Sequence, residues 1–334
     1  MRPRDDPNRS GGSGVDAPPA ARGPSRRGVA SGFLPPDGAA YPLILRGAGH
    51  TWWRSALGVV LGLSSLLLLP ALVNQGVVAL AWTATAPAPD EDFADHARRA
   101  YAFELPSGML AANLGVAALA LISWLLVAVV HRVRPRWLSS VRPGIRGRYL
   151  LGCLGVAVVA LVGTQLLSLA VEPGPGWAVQ QRFWAFLVVI VLTSPLQAMA
   201  EELFFRGYLL QAISSLVNRA WLGIAVSAVV FALVHGGQNP ALFVDRLALG
   251  LLAGILVWRT GGLEAAIAAH AISNVAVYVI AGVTTSMATV RATAEISWLD
   301  AAFDVTGFAV FAVGAVLLAR RMALRTRVDL ARGH

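Results

Sequence analysis

The chain has 334 residues, 56% of them hydrophobic and only 13% charged, where an average soluble domain carries about 25% charged residues. Mean hydropathy is +0.64, and repeated runs near the ~20 apolar residues needed to cross a bilayer exclude an ordinary soluble globule. The net charge of +9 could mark a nucleic-acid binder, but the Arg residues collect at the ends of apolar runs, which is the charge pattern of cytoplasmic loops.

Residues 1–40 are rich in Pro, Gly, Ser and Arg with few large apolar groups, so a disordered basic tail is expected there. It lacks the apolar core of a signal peptide. A basic approach segment follows and ends in Trp52, Trp53 and Arg54, residue types suited to an interfacial anchor. Eight apolar runs are then expected to span the membrane: 55–82, 107–130, 149–171, 183–205, 220–236, 241–258, 262–283 and 298–319. The fold class is therefore an all-α, polytopic helical membrane protein. Residues 41–182 form its N-terminal helices, and 284–334 hold a final span and a basic tail.

The loops carry a consistent orientation. The 131–148 loop contains Arg132, Arg134, Arg136, Arg142, Arg146 and Arg148, and the final tail contains Arg320, Arg321, Arg325 and Arg327. The 83–106 loop contains Asp90, Glu91, Asp92, Asp95 and Glu104. By the positive-inside rule the first two are cytoplasmic and the third external, so both termini of a multi-pass cell-membrane protein are expected in the cytoplasm. The single Cys153 lies inside an apolar run and reads as a small buried hydrophobe.

Ionisable groups inside a bilayer cost several kcal/mol, about 2.5–3.5 on insertion scales, and usually mark function. Three places concentrate them: Glu201-Glu202 with Arg206, His235 four residues after Phe231, and His270 four residues before Asn274. Glu202 and Arg206 have the favourable order for a helical ion pair. Glu201 lies about 100° round the helix, which leaves one paired and one available carboxylate. His270 and Asn274 share a helix face.

These types suit hydrolysis. A carboxylate in an apolar site can deprotonate water, and an imidazole and an amide can donate to the resulting oxyanion. One Glu and two His, here Glu201, His235 and His270, could instead bind zinc with an open position for water. The bland alternatives are paired helix faces, satisfied core histidines and an Asn that bridges helices. A transporter or a non-catalytic scaffold would also keep intramembrane Glu and His, although no repeated half is visible. No HExxH helix, GxSxG turn in a span or GxGD-type aspartate pair is present.

The ordered set Glu201-Glu202-x-x-x-Arg206-Gly207, Phe231-x-x-x-His235 and His270-x-x-x-Asn274 resembles the three motifs of the CAAX-protease and bacteriocin-processing (CPBP, or Abi) family. That family includes the eukaryotic prenyl-protein endoprotease that trims CAAX tails. The resemblance covers 183–283, and the Gly250/Gly254 span and the Arg259–Gly262 turn support it. It implies an intramembrane endopeptidase with Glu201 as general base assisted by His235. His270 and Asn274 would stabilise the oxyanion, with Glu202, Arg206 and Phe231 as structural support. It implies a membrane-associated peptide or protein substrate in the lipid bilayer, no nucleic acid, and no cofactor, with zinc as the alternative. One tension follows from the expected spans: Glu201 falls towards the cytoplasmic half of its run and His235 near the external end of the next. A break at Pro195, making 196–217 a separate or shifted helix, would let them meet.

Overall fold

The computed structural model describes residues 34–85, 91–174 and 176–331. The chain is 75% helical, has no strand among the described residues and is an all-α polytopic membrane protein. In chain order the helices are α1 (Trp52–Ala84), α2 (Phe93–Tyr101), α3 (Pro106–Val129), α4 (Gly147–Val171), α5 (Phe183–Val217), α6 (Ala220–Leu233), α7 (Pro240–Thr260), α8 (Glu264–Thr284), α9 (Met287–Ala292) and α10 (Trp298–Arg321). Seven of them (α1, α3, α4, α5, α7, α8 and α10) are long and apolar enough to cross a membrane. The expected fifth span becomes α6, which has only 14 residues. At 1.5 Å per residue it reaches about 21 Å, short of a ~30 Å hydrocarbon core.

Of the expected tail, residues 1–33 lie outside the described residues, as does Asp90 of the acidic loop. Residues 34–40 run beside the C-terminal tail: the Gly38 amide donates to the Val328 carbonyl at 3.0 Å and the Val328 amide to Ala39 at 2.9 Å. Tyr41, Ile44 and Leu45 are fully buried just after them.

The bundle has two chemically distinct ends. At one, the Val141 amide bonds the Gly261 carbonyl and the Leu263 amide bonds Ser139, both at 2.9 Å. The Arg146 guanidinium grips Glu264 there through Nε (2.8 Å) and Nη2 (2.6 Å) and reaches the Thr260 carbonyl at 2.9 Å. The Arg-rich loop, the α7–α8 turn and the C-terminal tail are thereby tied together. At the other end the Asn239 amide bonds Ala294, the Gln180 amide bonds Gly282, and Arg291 donates to the Tyr101 carbonyl that closes α2. The basic and acidic loops thus sit at opposite ends, as the charge pattern requires.

Pro195 does not break its helix: α5 runs unbroken from Phe183 to Val217 with Pro195 inside it. Proline removes one helical donor, a loss the polar groups beside it help the helix absorb. Asn113 of α3 donates to Thr193 Oγ1 at 2.7 Å and to Ser194 Oγ at 3.3 Å, clamping the turn just before the proline. The irregularity comes later, as a π-helical stretch over Leu203–Leu209 that contains Arg206 and Gly207. Such π-turns shift the helix register and are frequent at functional sites.

The chain reverses at Asn218, which adopts a left-handed conformation (φ 56°). The α5–α6 hairpin closes tightly because position 223 is glycine; a Cβ there would meet the Leu210 carbonyl oxygen and the Ser214 side chain. Glu201 lies 17 residues before Asn218 and His235 lies 17 residues after it. An antiparallel hairpin with equal arms brings such positions to one level, which resolves the tension in the expected spans without a helix break. Helix α7 then packs on α6 through Gly250, where a Cβ would stand 3.0 Å from the Ala228 Cβ.

Candidate active site

Helices α5, α6 and α8 and the turn after α6 carry the seven residues singled out by the sequence, and these line one cavity of about 730 Å³: Glu201, Glu202, Arg206, Phe231, His235, His270 and Asn274. The pairing expected from helical spacing is present. Arg206 Nη1 lies 3.0 Å from Glu202 Oε1, and the two side chains are 3% and 2% exposed. Charge burial this complete requires a partner, and Glu202 has two, because His270 Nδ1 also donates to the same oxygen at 2.8 Å. That bond ties α8 to α5.

Phe231 is the packing hub. The Arg206 guanidinium stacks over its ring at 4.1 Å, His235 packs edge-on at 4.7 Å between centroids, and His270 lies at 6.3 Å. The ring therefore keeps the two imidazoles apart while shielding the buried guanidinium. His235 follows the C-terminus of α6 and remains accessible. Its Nδ1 is 2.6 Å from the Phe231 carbonyl, so that nitrogen is the donor, and Nε2 carries the lone pair of the neutral ring.

Glu201 is placed differently from its neighbour. Its Oε1 accepts from Gln197 Nε2 at 2.7 Å. Its Oε2 is buried, has no hydrogen-bond partner and stands 3.5 Å from His270 Nε2. Glu202 Oε2 is likewise buried and unpartnered, but the other Glu202 oxygen holds both Arg206 and His270, so Glu202 is the carboxylate committed to an ion pair and Glu201 is not. Asn274 donates from Nδ2 to Gln197 Oε1 at 2.8 Å. Among the described residues no group of three or more His, Cys, Asp or Glu is arranged to hold a metal ion.

Several residues that shape the site escaped the sequence reading. Gln197 is one; its signal was a polar side chain one helical turn before Glu201 in an otherwise apolar run. Asn113, which also lines the cavity, is another; the fully buried Glu264, equally unforeseen, serves the basic end of the bundle instead. Asp245 and Arg246 of α7 both line the cavity, as does Asp304 of α10. Arg246 donates to Gln238 Oε1 at 2.8 Å, and Gln238 donates in turn to the Ala232 carbonyl at 2.7 Å, bracing the turn that carries His235. Asp245 is 5% exposed, and its Oδ1 lacks a hydrogen-bond partner.

Residues 182–276 match the family described as type II CAAX prenyl endopeptidase Rce1-like. That stretch holds all three motifs. The chain is also similar to the uncharacterized protein YyaK of Bacillus subtilis (strain 168), with 28% identity over 124 residues. The similarity covers 34% of this chain and 41% of that protein, so the chain spans about two fifths of this relative's length. No solved structure matches the chain.

Proposed function

We propose that the chain is an intramembrane endopeptidase that hydrolyses a peptide bond of a membrane-associated substrate with water activated by Glu201. The observation that carries this reading is the buried, unpartnered Glu201 Oε2 beside His270 Nε2, on a residue that lines a cavity large enough for a peptide segment. The match to the Rce1-like family supports the reaction class.

Glu201 Oε2 takes a proton from water as the water oxygen attacks the scissile carbonyl carbon. The proton then passes to the leaving amine as the C–N bond breaks. His235, with Nδ1 held by the Phe231 carbonyl, assists Glu201 by keeping the water oriented through Nε2. The oxyanion is met by the Nε2–H of a doubly protonated His270, whose Nδ1–H is held by Glu202, and by the second N–H of Asn274, the first being donated to Gln197. Glu202 and Arg206 supply a neutral, rigid floor under His270. No metal is required for any of these steps, so exhaustive chelation should leave the rate unchanged. The substrate reaches the cavity from the lipid bilayer.

The test is cleavage of candidate peptides by the purified full-length chain in lipid bilayers, run in H2¹⁸O with and without chelator. The expected result is a new C-terminal carboxylate carrying one solvent oxygen per turnover, insensitive to chelation. No cleavage of any membrane-associated peptide would leave a transporter or scaffold as the better reading. Activity lost on chelation and restored by zinc would replace the metal-free mechanism.

A further inference from the structure

Gln197 is a second link between α5 and α8, beside the His270–Glu202 bond. It precedes Glu201 by one helical turn on α5 and reaches across to Asn274 on α8. Its Nε2 donates to Glu201 Oε1 at 2.7 Å, and its Oε1 accepts from Asn274 Nδ2 at 2.8 Å. The amide's orientation is fixed by chemistry. Turned over, it would set an oxygen against the carboxylate and an NH2 against the NH2 of Asn274, losing both bonds.

We infer that Gln197 is a positioning residue for the hydrolytic site, acting on the base and on the oxyanion donor at once; this rests on the reading of Glu201 as the base. The terminal torsion of a glutamate is broad and nearly two-fold, so an unrestrained carboxylate would present either oxygen to the cavity. Anchoring Oε1 leaves Oε2 as the oxygen beside His270 Nε2. Anchoring one N–H of Asn274 likewise leaves a single, directed N–H for substrate. The amide also couples the two: a shift of α8 relative to α5 moves the donor and the base together. Water cannot readily replace Gln197 here, because the Glu201 side chain is only 12% exposed.

Two substitutions separate this role from simple packing. Gln197→Met keeps length and volume but neither hydrogen bond. Gln197→Glu keeps the acceptor for Asn274 but sets a second carboxylate against Glu201. In the full-length chain in bilayers, Gln197→Met should lower kcat by about 10- to 100-fold, the loss expected for one hydrogen bond to a charged group. KM should change far less than kcat, because Gln197 is inferred to act through Glu201 and Asn274 although it lines the same cavity, and the unfolding midpoint should fall modestly as two partners lose a bond. Gln197→Glu should lower kcat at least as far. Wild-type kcat in Gln197→Met would overturn the inference, and so would a fall in substrate affinity as large as the fall in kcat.

A readout without substrate keeps the inference separate from the protease reading. The infrared carboxylate band of Glu201 is identified by its disappearance in Glu201→Gln. In Gln197→Met that band should shift as the Nε2 donor is lost; an unmoved band overturns the inference. A shifted band in a protein that cleaves no peptide would uphold Gln197 as the residue that positions Glu201 and would refute the proposed reaction.

Discussion

Replacing Arg206 by Met tests how the buried charges are held. The substitution removes a guanidinium 3.0 Å from Glu202 Oε1 in a pocket where both side chains are at most 3% exposed. It leaves a carboxylate whose Oε2 already lacks a partner and whose Oε1 retains only the bond from His270. Removing one member of a buried pair costs about 3–5 kcal/mol. The lost stacking of Arg206 on Phe231 at 4.1 Å is worth about 2 kcal/mol in a desolvated setting and is counted as part of that cost. Glu202→Gln combined with Arg206→Met removes both charges while keeping an oxygen to accept from His270, so most of the loss should be recovered. The assay is reversible unfolding of the purified protein in mixed micelles by denaturing detergent, with folded yield in the membrane as a second measure. A single mutant as stable as wild type, or a double mutant worse than the single, would refute the idea that the pair is held by mutual compensation.

Glu264→Gln should destabilise the fold by a similar ~3–5 kcal/mol, because the fully buried acid holds the Arg146 guanidinium through two bonds; unfolding of the purified variant reads it. Gly223→Ala should cost about 1–3 kcal/mol or more by forcing the α5–α6 hairpin apart against the Leu210 carbonyl, measured as a lower unfolding midpoint. A reporter active only outside the cytoplasm, fused to the C-terminus, should give no signal, because the C-terminal tail and the Arg-rich loop share one end of the bundle; a strong signal would reverse the orientation.

Composition and periodicity located most of the bundle, since a run of apolar residues has few alternatives to a membrane helix. The expected 241–258 and 262–283 spans fall within two residues of α7 and α8. What escaped was decided by backbone detail that apolar runs do not encode. A proline in a span reads as a break, yet Pro195 sits in a continuous helix clamped by Asn113, while the real irregularity is a π-turn with no local signature. The 220–236 run is apolar enough to cross, but Asn218 and the turn around Gly236 (φ 86°) cut it to one short arm of a hairpin. In the site, the Glu202–Arg206 bond was legible because helical spacing dictates it. Gln197 was not, since its second partner, Asn274, lies 77 residues away on another helix. The expected span ends, taken without the hairpin, put Glu201 and His235 at different depths; equal counting from Asn218 removes that conflict.

The central claim is that the free oxygen of Glu201 activates water, and the most direct measurement is the cleavage rate of Glu201→Gln in purified full-length protein. The substitution keeps the shape of the side chain and disturbs neither the Glu202–Arg206 pair nor the His270–Glu202 bond. Folded yield and unfolding midpoint should therefore match wild type, while kcat falls by about 10²- to 10⁴-fold, the usual contribution of a general base. A Glu201→Gln variant that cleaves within a few-fold of wild type would contradict the account.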